Sequence, residues 1–136
     1  LMANTVTKKR QSNSLKTMLV ENDATTLSGS TYVAIIDVVD VESYERASIQ
    51  MLANDGEALT CQVWGSLFDS AVALPVTNSK WVQIGDDVVV AINSGSLKAI
   101  STTALRLLAV TVKATDGSST AVITAGDCKV FLQGTI

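Results

Sequence analysis

The acidic side chains are the residues best suited by type to carry out chemistry. Four of them fall where one predicted strand ends and the next begins: Asp37, Asp40, Glu42 and Glu45. A glycoside hydrolase needs two carboxylates that face each other across a cleft, and a Ca²⁺ site needs several convergent oxygens. The spacing sets no two of these groups opposite each other. We interpret them as a solvated acidic turn, with a Ca²⁺ site here or at Asp86-Asp87 as the alternative.

Other catalytic sets are missing from the sequence. Histidine is absent, which removes the commonest general base, the usual partner of a Ser or Cys nucleophile and the commonest transition-metal ligand. No GxGxxG or GxxxxGK[ST] pattern occurs, so a glycine-rich nucleotide loop is not indicated. We predict a protein that is not an enzyme, with no cofactor and no resident metal.

Two cysteines and two tryptophans need separate interpretations. Cys61 and Cys128 lie in strand-like runs without CxxC spacing, which favours buried free thiols; a disulfide between adjacent strands is the alternative. Trp64 and Trp81 are the only tryptophans, and both lie in predicted strands. We expect them to pack in the core or at a subunit interface. Stacking on a sugar is the alternative.

Charge divides the chain into two unequal parts. Residues 1–20 hold four bases and no acid, Lys8, Lys9, Arg10 and Lys16, whereas the rest holds six bases and thirteen acids. A +4 arm therefore precedes a −7 body. The arm has too few apolar residues to fold alone, so we expect it to contact a partner. Four charges without an accompanying aromatic argue against nucleic acid as that partner. A neighbouring acidic subunit is favoured, and an inert tail is the other alternative.

The body reads as a β-domain. Val, Thr and Ser are abundant, and short β-rich runs alternate with turn residues about every ten positions, as in a sandwich. Arg46–Ala53 and Ala58–Gly65 each alternate apolar and polar residues, so each has one core face. The Asp55-Gly56 step between them favours a hairpin. We predict an all-β fold, an antiparallel β-sandwich or jelly roll of about eight strands.

The predicted domain organisation is a flexible basic arm and tether over residues 1–30 and a β-sandwich over residues 31–136. No run approaches the roughly 20 apolar residues of a membrane span, and the N-terminus has no apolar signal core. We therefore expect a soluble protein without a membrane partner. Because Leu1 precedes Met2, residue 1 is either an expression scar or a product of processing.

Three runs give the chain a resemblance to a known class of protein: YERASIQMLANDGEALTCQVWGS, KWVQIGDD and LRLLAVTVKATDGSSTAVI. Together with the polar arm and the low charge, they resemble the β-sandwich domains of decoration and tail accessory proteins in tailed bacteriophages, over about residues 31–132. The resemblance implies a virion protein that forms a homo-oligomer, contacts a major capsid or other virion protein, and acts as capsid decoration or cement. The alternative is a carbohydrate- or receptor-binding module of a phage tail or fibre.

Overall fold

The computed structural model describes residues 15–69 and 79–135, which form eleven antiparallel β-strands. The strands are β1 (Leu15–Glu21), β2 (Thr25–Ser28), β3 (Val33–Asp40), β4 (Arg46–Ala53), β5 (Leu59–Ser66), β6 (Val82–Gln83), β7 (Val88–Val90), β8 (Ser94–Ser101), β9 (Leu107–Ala114), β10 (Thr120–Ile123) and β11 (Cys128–Thr135). The prediction of an all-β fold is confirmed. In these residues no helix has the length and apolarity to cross a membrane.

Two sheets make up the sandwich. Sheet A has the strand order β1-β11-β4-β8, and sheet B has the order β3-β9-β5-β6, with β7 also paired to β5. The small strands β2 and β10 pair with each other in a separate ribbon. Along the chain the long strands alternate between the sheets: β1, β4, β8 and β11 lie in sheet A, and β3, β5 and β9 lie in sheet B. This interleaving is the topology of a jelly roll.

The core lies between the two sheets. Ala47, Ile49 and Met51 of β4 are buried in one cluster with Cys61 and Val63 of β5. These are residues that the period-two pattern assigned to the core, so the predicted inward faces of both strands are confirmed. The facing sheets bury them because alternate residues of a strand project to opposite sides of its sheet.

The predicted hairpin between β4 and β5 is wrong. β4 pairs with β11 and β8 in sheet A, whereas β5 pairs with β9 in sheet B. Gly56 does adopt a positive φ of 82°, as its turn signal indicated, but the connection carries the chain across the sandwich. A hairpin and a sheet crossover bury the same alternating face, so the pattern cannot identify the pairing partner.

Residues 15–28, placed by the sequence in the arm and tether, form β1 and β2. Each residue of β1 has a partner in β11, from Leu15 opposite Thr135 to Glu21 opposite Lys129. Met18 and Val20 pack against the main core, and Leu27 is buried in it. Strand pairing and apolar contacts both join this segment to the sandwich.

The buried side chain of Asn22 connects β1 to the turn before β11. Its Oδ1 accepts a hydrogen bond of 2.8 Å from the backbone N–H of Cys128. Its Nδ2 donates to the carbonyls of Asp23 and Thr124, at 2.8 and 3.2 Å. The three hydrogen bonds are buried or partly buried, so one amide side chain links the end of β1 to the connection between β10 and β11.

Both cysteines are free and buried, which supports the buried-thiol interpretation over a disulfide. Burial raises the pKa of each thiol from its ordinary value of 9.0 to about 12. The thiolate is the reactive form of cysteine, and at neutral pH it is almost absent at these two positions. The two thiols therefore act as small apolar core groups.

We expect both thiols to be inert toward Ellman's reagent in the folded protein at pH 8 and to react fully in guanidinium. Folded thiols keep their protons to about pH 12, whereas unfolded ones lose them near 9.0. The free energy of unfolding that the buried, protonated thiols contribute is complete below pH 9. It declines between pH 9 and pH 12 by up to about 1.4 kcal/mol per pH unit for each thiol. The double variant Cys61→Ala/Cys128→Ala should have a shallower alkaline decline in denaturant titrations. An equal alkaline decline in stability for the double variant and the wild-type protein would contradict the assignment of both cysteines as buried thiols.

Candidate assembly surfaces

The four basic residues assigned to the arm fall into two groups. Lys8, Lys9 and Arg10 lie outside the described residues. Lys16 lies in β1, where its Nζ donates to Ser43 Oγ at 2.7 Å and stands 4.9 Å from the centre of the Tyr44 ring. A cation over an aromatic face is a favourable contact. Lys16 therefore contributes to an intramolecular contact between β1 and the β3–β4 turn.

The four carboxylates of the acidic turn have separate local contacts. Asp37 Oδ1 accepts from the N–H of Val38, and Asp40 Oδ1 accepts from the N–H of Glu42, both at 2.9 Å. Glu42 forms an ion pair with Arg106 at 3.1 Å, and Glu45 Oε1 accepts a hydrogen bond from the Thr135 hydroxyl at 2.6 Å. Within residues 15–69 and 79–135, no group of three or more His, Cys, Asp or Glu side chains is arranged to hold a metal ion. Asp37 and Asp40 thus lie in β3, Glu42 and Glu45 lie in the turn after it, and each carboxylate has its own local contact.

The two tryptophans lie on the outer face of sheet B. Trp81 is only 5% exposed and packs with Leu107 and Ala109, with Trp64 against the same small cluster. The indole Nε1 of Trp64 donates to Thr111 Oγ1 at 2.9 Å. Trp81 is thus enclosed by protein, while Trp64 is half-buried.

Beside Trp64, a polar network surrounds the exposed carboxylate of Asp87. Its Oδ1 accepts from the amides of Gln83 and Gln62, at 2.7 and 3.1 Å, and its Oδ2 accepts from the Tyr32 hydroxyl at 3.4 Å. The hydrogen bond from Gln83, followed by that from Gln62, lowers the pKa of Asp87. Amides, a carboxylate and an aromatic ring therefore stand together on this face.

The outer face of sheet A is sparsely charged and carries exposed apolar side chains. Leu19 of β1 is 52% exposed and lies opposite Phe131 of β11, which is 37% exposed. Leu15 and Leu97 are also exposed, at 50% and 71%. Across the sheet, the row of Leu19 and Phe131 continues through Ser48 and Ala99. Small and apolar groups thus span all four strands.

Charge on this outer face is largely neutralised. Lys129 Nζ and Glu21 Oε1 form an ion pair at 2.5 Å, in the row next to Leu19 and Phe131. Arg46 lies one row away on the other side, opposite Gln133 and Ser101. The face therefore presents few charges that a second surface would have to desolvate.

Sequence reasoning missed this face because it assigned residues 15–20 to the arm. The alternation of Leu15, Thr17 and Leu19 with Lys16, Met18 and Val20 was available as a signal. Apolar residues occur on both sides of that alternation, however, so the pattern does not show which side is buried. Only the pairing of β1 with β11 identifies the exposed side.

No family model matches the sequence, and no curated protein matches it. Among solved structures, a chain described under "Bacillus endospore appendages form a novel family of disulfide-linked pili" is 15% identical, with a TM-score of 0.52, covering 90% of this chain and 89% of that one. The coat protein of Tobacco streak virus is 10% identical, with a TM-score of 0.42, covering 86% and 83%. VP2 of infectious bursal disease virus is 9% identical, with a TM-score of 0.41, covering 89% and 33%. At 15% identity the first likeness is one of fold alone.

Proposed function

We propose that the protein is a non-enzymatic structural subunit of a virion, a capsid decoration or cement protein that stabilises a larger particle through subunit contacts. The observation that carries this proposal is the outer face of sheet A, where Leu19 and Phe131 stand exposed with little unpaired charge. Contiguous exposed apolar surface on a soluble domain marks an interaction site. Its partners would be further copies of this chain and a major capsid protein.

The charge distribution supports the same function. Residues 1–14 hold three bases and no acid, and the remaining residues hold seven bases and thirteen acids. A +3 segment therefore precedes a −6 domain, and each copy attracts the leading segment of another. Such attraction between exposed charges weakens as salt is added. The basic segment acts in this proposal as a tether between subunits.

The fold is also suited to assembly. The jelly roll presents two broad sheet faces and several open strand edges, both of which a neighbouring subunit can cover. The solved chain with a TM-score of 0.52 is described as a pilus protein, so a fold of this kind serves assembly in that protein. The outer face of sheet A, the open strand edges and the basic segment together favour a mechanism in which the protein holds neighbouring subunits together.

We expect Leu19→Asp to weaken binding to the particle by about tenfold or more, because it places a charge in a face that association desolvates. A tenfold change corresponds to about 1.4 kcal/mol. The measurement is co-sedimentation of the purified protein with particles stripped of it. Val122→Asp is the matched control, since Val122 is 51% exposed on the β2–β10 ribbon. Equal binding by the wild-type protein and both variants would overturn the proposal.

A second function, recognition of a carbohydrate or receptor at a tail or fibre, is favoured by one observation. Trp64 is half-buried beside the amides of Gln62 and Gln83 and the carboxylate of Asp87. Sugars are bound by such sets, in which an aromatic ring accompanies polar groups that fix orientation. Quenching or enhancement of tryptophan fluorescence by glycans, lost in Trp64→Ala, would favour this function over the structural one.

A further inference from the structure

Strand β8 is an open and regular edge of sheet A. All eight of its residues pair with β4, from Ser94 opposite Ala53 to Ser101 opposite Arg46, without a register shift. No described strand pairs with its other side. An edge strand of this length leaves a row of backbone N–H and C=O groups available to another chain.

The other edges are less suited to accept a strand. β3 has two register irregularities and carries exposed Asp37 and Asp40. β6 and β7 contain only two and three residues. β1 is regular, but it carries two charged residues, Lys16 and Glu21. Bulges, charges and shortness all protect an edge from pairing. β8 has no bulge and is eight residues long.

The one charged side chain of β8, Lys98, reaches across to a turn of sheet B. Lys98 Nζ donates to the carbonyl of Ile84 at 2.8 Å and to that of Asp86 at 3.5 Å. These contacts fix the ammonium group on the turn between β6 and β7. The neighbouring side chain, Leu97, is 71% exposed. Beside β8, the approaching chain therefore meets an apolar side chain and the exposed acid Asp86, whose carbonyl Lys98 contacts.

Residues 1–14 of another copy have the length, the composition and the charge for this edge. Fourteen extended residues reach roughly 46–50 Å, and pairing along eight residues takes about 27 Å, so about six residues remain for the crossing between molecules. Asn4-Thr5-Val6-Thr7 includes three β-branched residues, which favour strands. Lys8, Lys9 and Arg10 are opposite in charge to Asp86 and to the residues after position 14 as a whole, which hold seven bases and thirteen acids.

We infer that residues 1–14 of one copy add a strand to β8 of a second copy. Backbone hydrogen bonds supply the affinity in this mode of recognition, and side chains on alternate positions supply the specificity. Within one molecule, β1 and β8 are the opposite edges of sheet A, so the segment leaves from one edge while the acceptor lies at the other. Repetition of the contact links successive copies head to tail. The inference rests on the proposed function only in requiring contact between copies.

Mixed cross-linking of two full-length variants tests this contact. A Val6→Cys copy is mixed with a differently tagged Leu97→Cys copy and treated with a short bis-maleimide across a range of protein concentrations. The native thiols are buried, so reaction occurs at the introduced cysteines. The control acceptor is Val122→Cys, because Val122 is also exposed, at 51%, but lies on the β2–β10 ribbon away from β8 in the strand order. We expect a covalent heterodimer with the Leu97→Cys copy at least tenfold more abundant than with the control.

Three outcomes overturn the inference. They are equal yields from both acceptors, no heterodimer at any concentration, and a cross-link confined to single molecules when Val6→Cys and Leu97→Cys are placed in one chain. Particle binding is measured separately, by the co-sedimentation of Leu19→Asp and its control. Loss of the cross-link with particle binding intact would reject the β8 contact and leave the structural function standing.

Discussion

Replacing Asn22 with alanine is expected to lower the free energy of unfolding by about 3 kcal/mol, because it leaves the buried N–H of Cys128 without its acceptor and removes one donor from each of the Asp23 and Thr124 carbonyls. The three hydrogen bonds involved are 2.8, 2.8 and 3.2 Å long. In a domain of this size, such a loss corresponds to a decrease in Tm of about 10 °C. Urea unfolding monitored by tryptophan fluorescence measures the change directly.

Asp23→Ala provides the control for Asn22→Ala. Asp23 is exposed and adjacent in sequence, so its truncation is expected to change the free energy of unfolding by less than about 0.5 kcal/mol. If Asn22→Ala were as stable as Asp23→Ala, the amide would not be the link between β1 and the β10–β11 turn. The attachment of residues 15–21 to the sandwich would then depend on strand pairing alone.

Gly134→Ala is expected to lower the free energy of unfolding by about 2 kcal/mol through overpacking. A Cβ at this position would stand 2.8 Å from the Ser43 carbonyl oxygen and 3.1 Å from the Tyr44 Cα. Both are backbone atoms of the turn between β3 and β4, which can move only if the end of β11 separates from it. Thermal and urea unfolding measure the loss.

Gly95→Ala separates overpacking from the general effect of a strand glycine. Its added Cβ would stand 2.8 Å from Leu52 Cδ2, the end of a flexible side chain that can adopt another rotamer. We expect its effect to be below about 0.5 kcal/mol, partly because alanine reduces the entropy of the unfolded chain. Equal losses in Gly134→Ala and Gly95→Ala would contradict close packing of β11 against the turn.

The sequence predicted which faces of the strands are buried but not which strands are neighbours. Ala47, Ile49 and Met51 were assigned to the core from their spacing alone, and all three are buried. Their spacing carries no information about whether β4 pairs with β5 or with β11. Pairing is decided by contacts between distant parts of the chain, such as Val130 opposite Ile49, and a local pattern does not record them.

The same limit applies to the candidate surfaces. Lys16 was grouped with Lys8, Lys9 and Arg10 because they share a charge and a region of sequence, yet Lys16 belongs to a strand paired with β11. Trp81 was identified as an aromatic of interest, but its burial depends on Leu107 and Ala109. The exposed pair of Leu19 and Phe131 joins residues more than a hundred positions apart. Such surfaces become visible only in the folded chain.

Cryo-electron microscopy of the native particle tests the structural function most directly. The expected result is jelly-roll density at symmetrically repeated positions, with the outer face of sheet A, marked by Leu19 and Phe131, covered by a neighbouring subunit. A particle that lacks this density, or one in which that face is open to solvent in every copy, would contradict the proposed function.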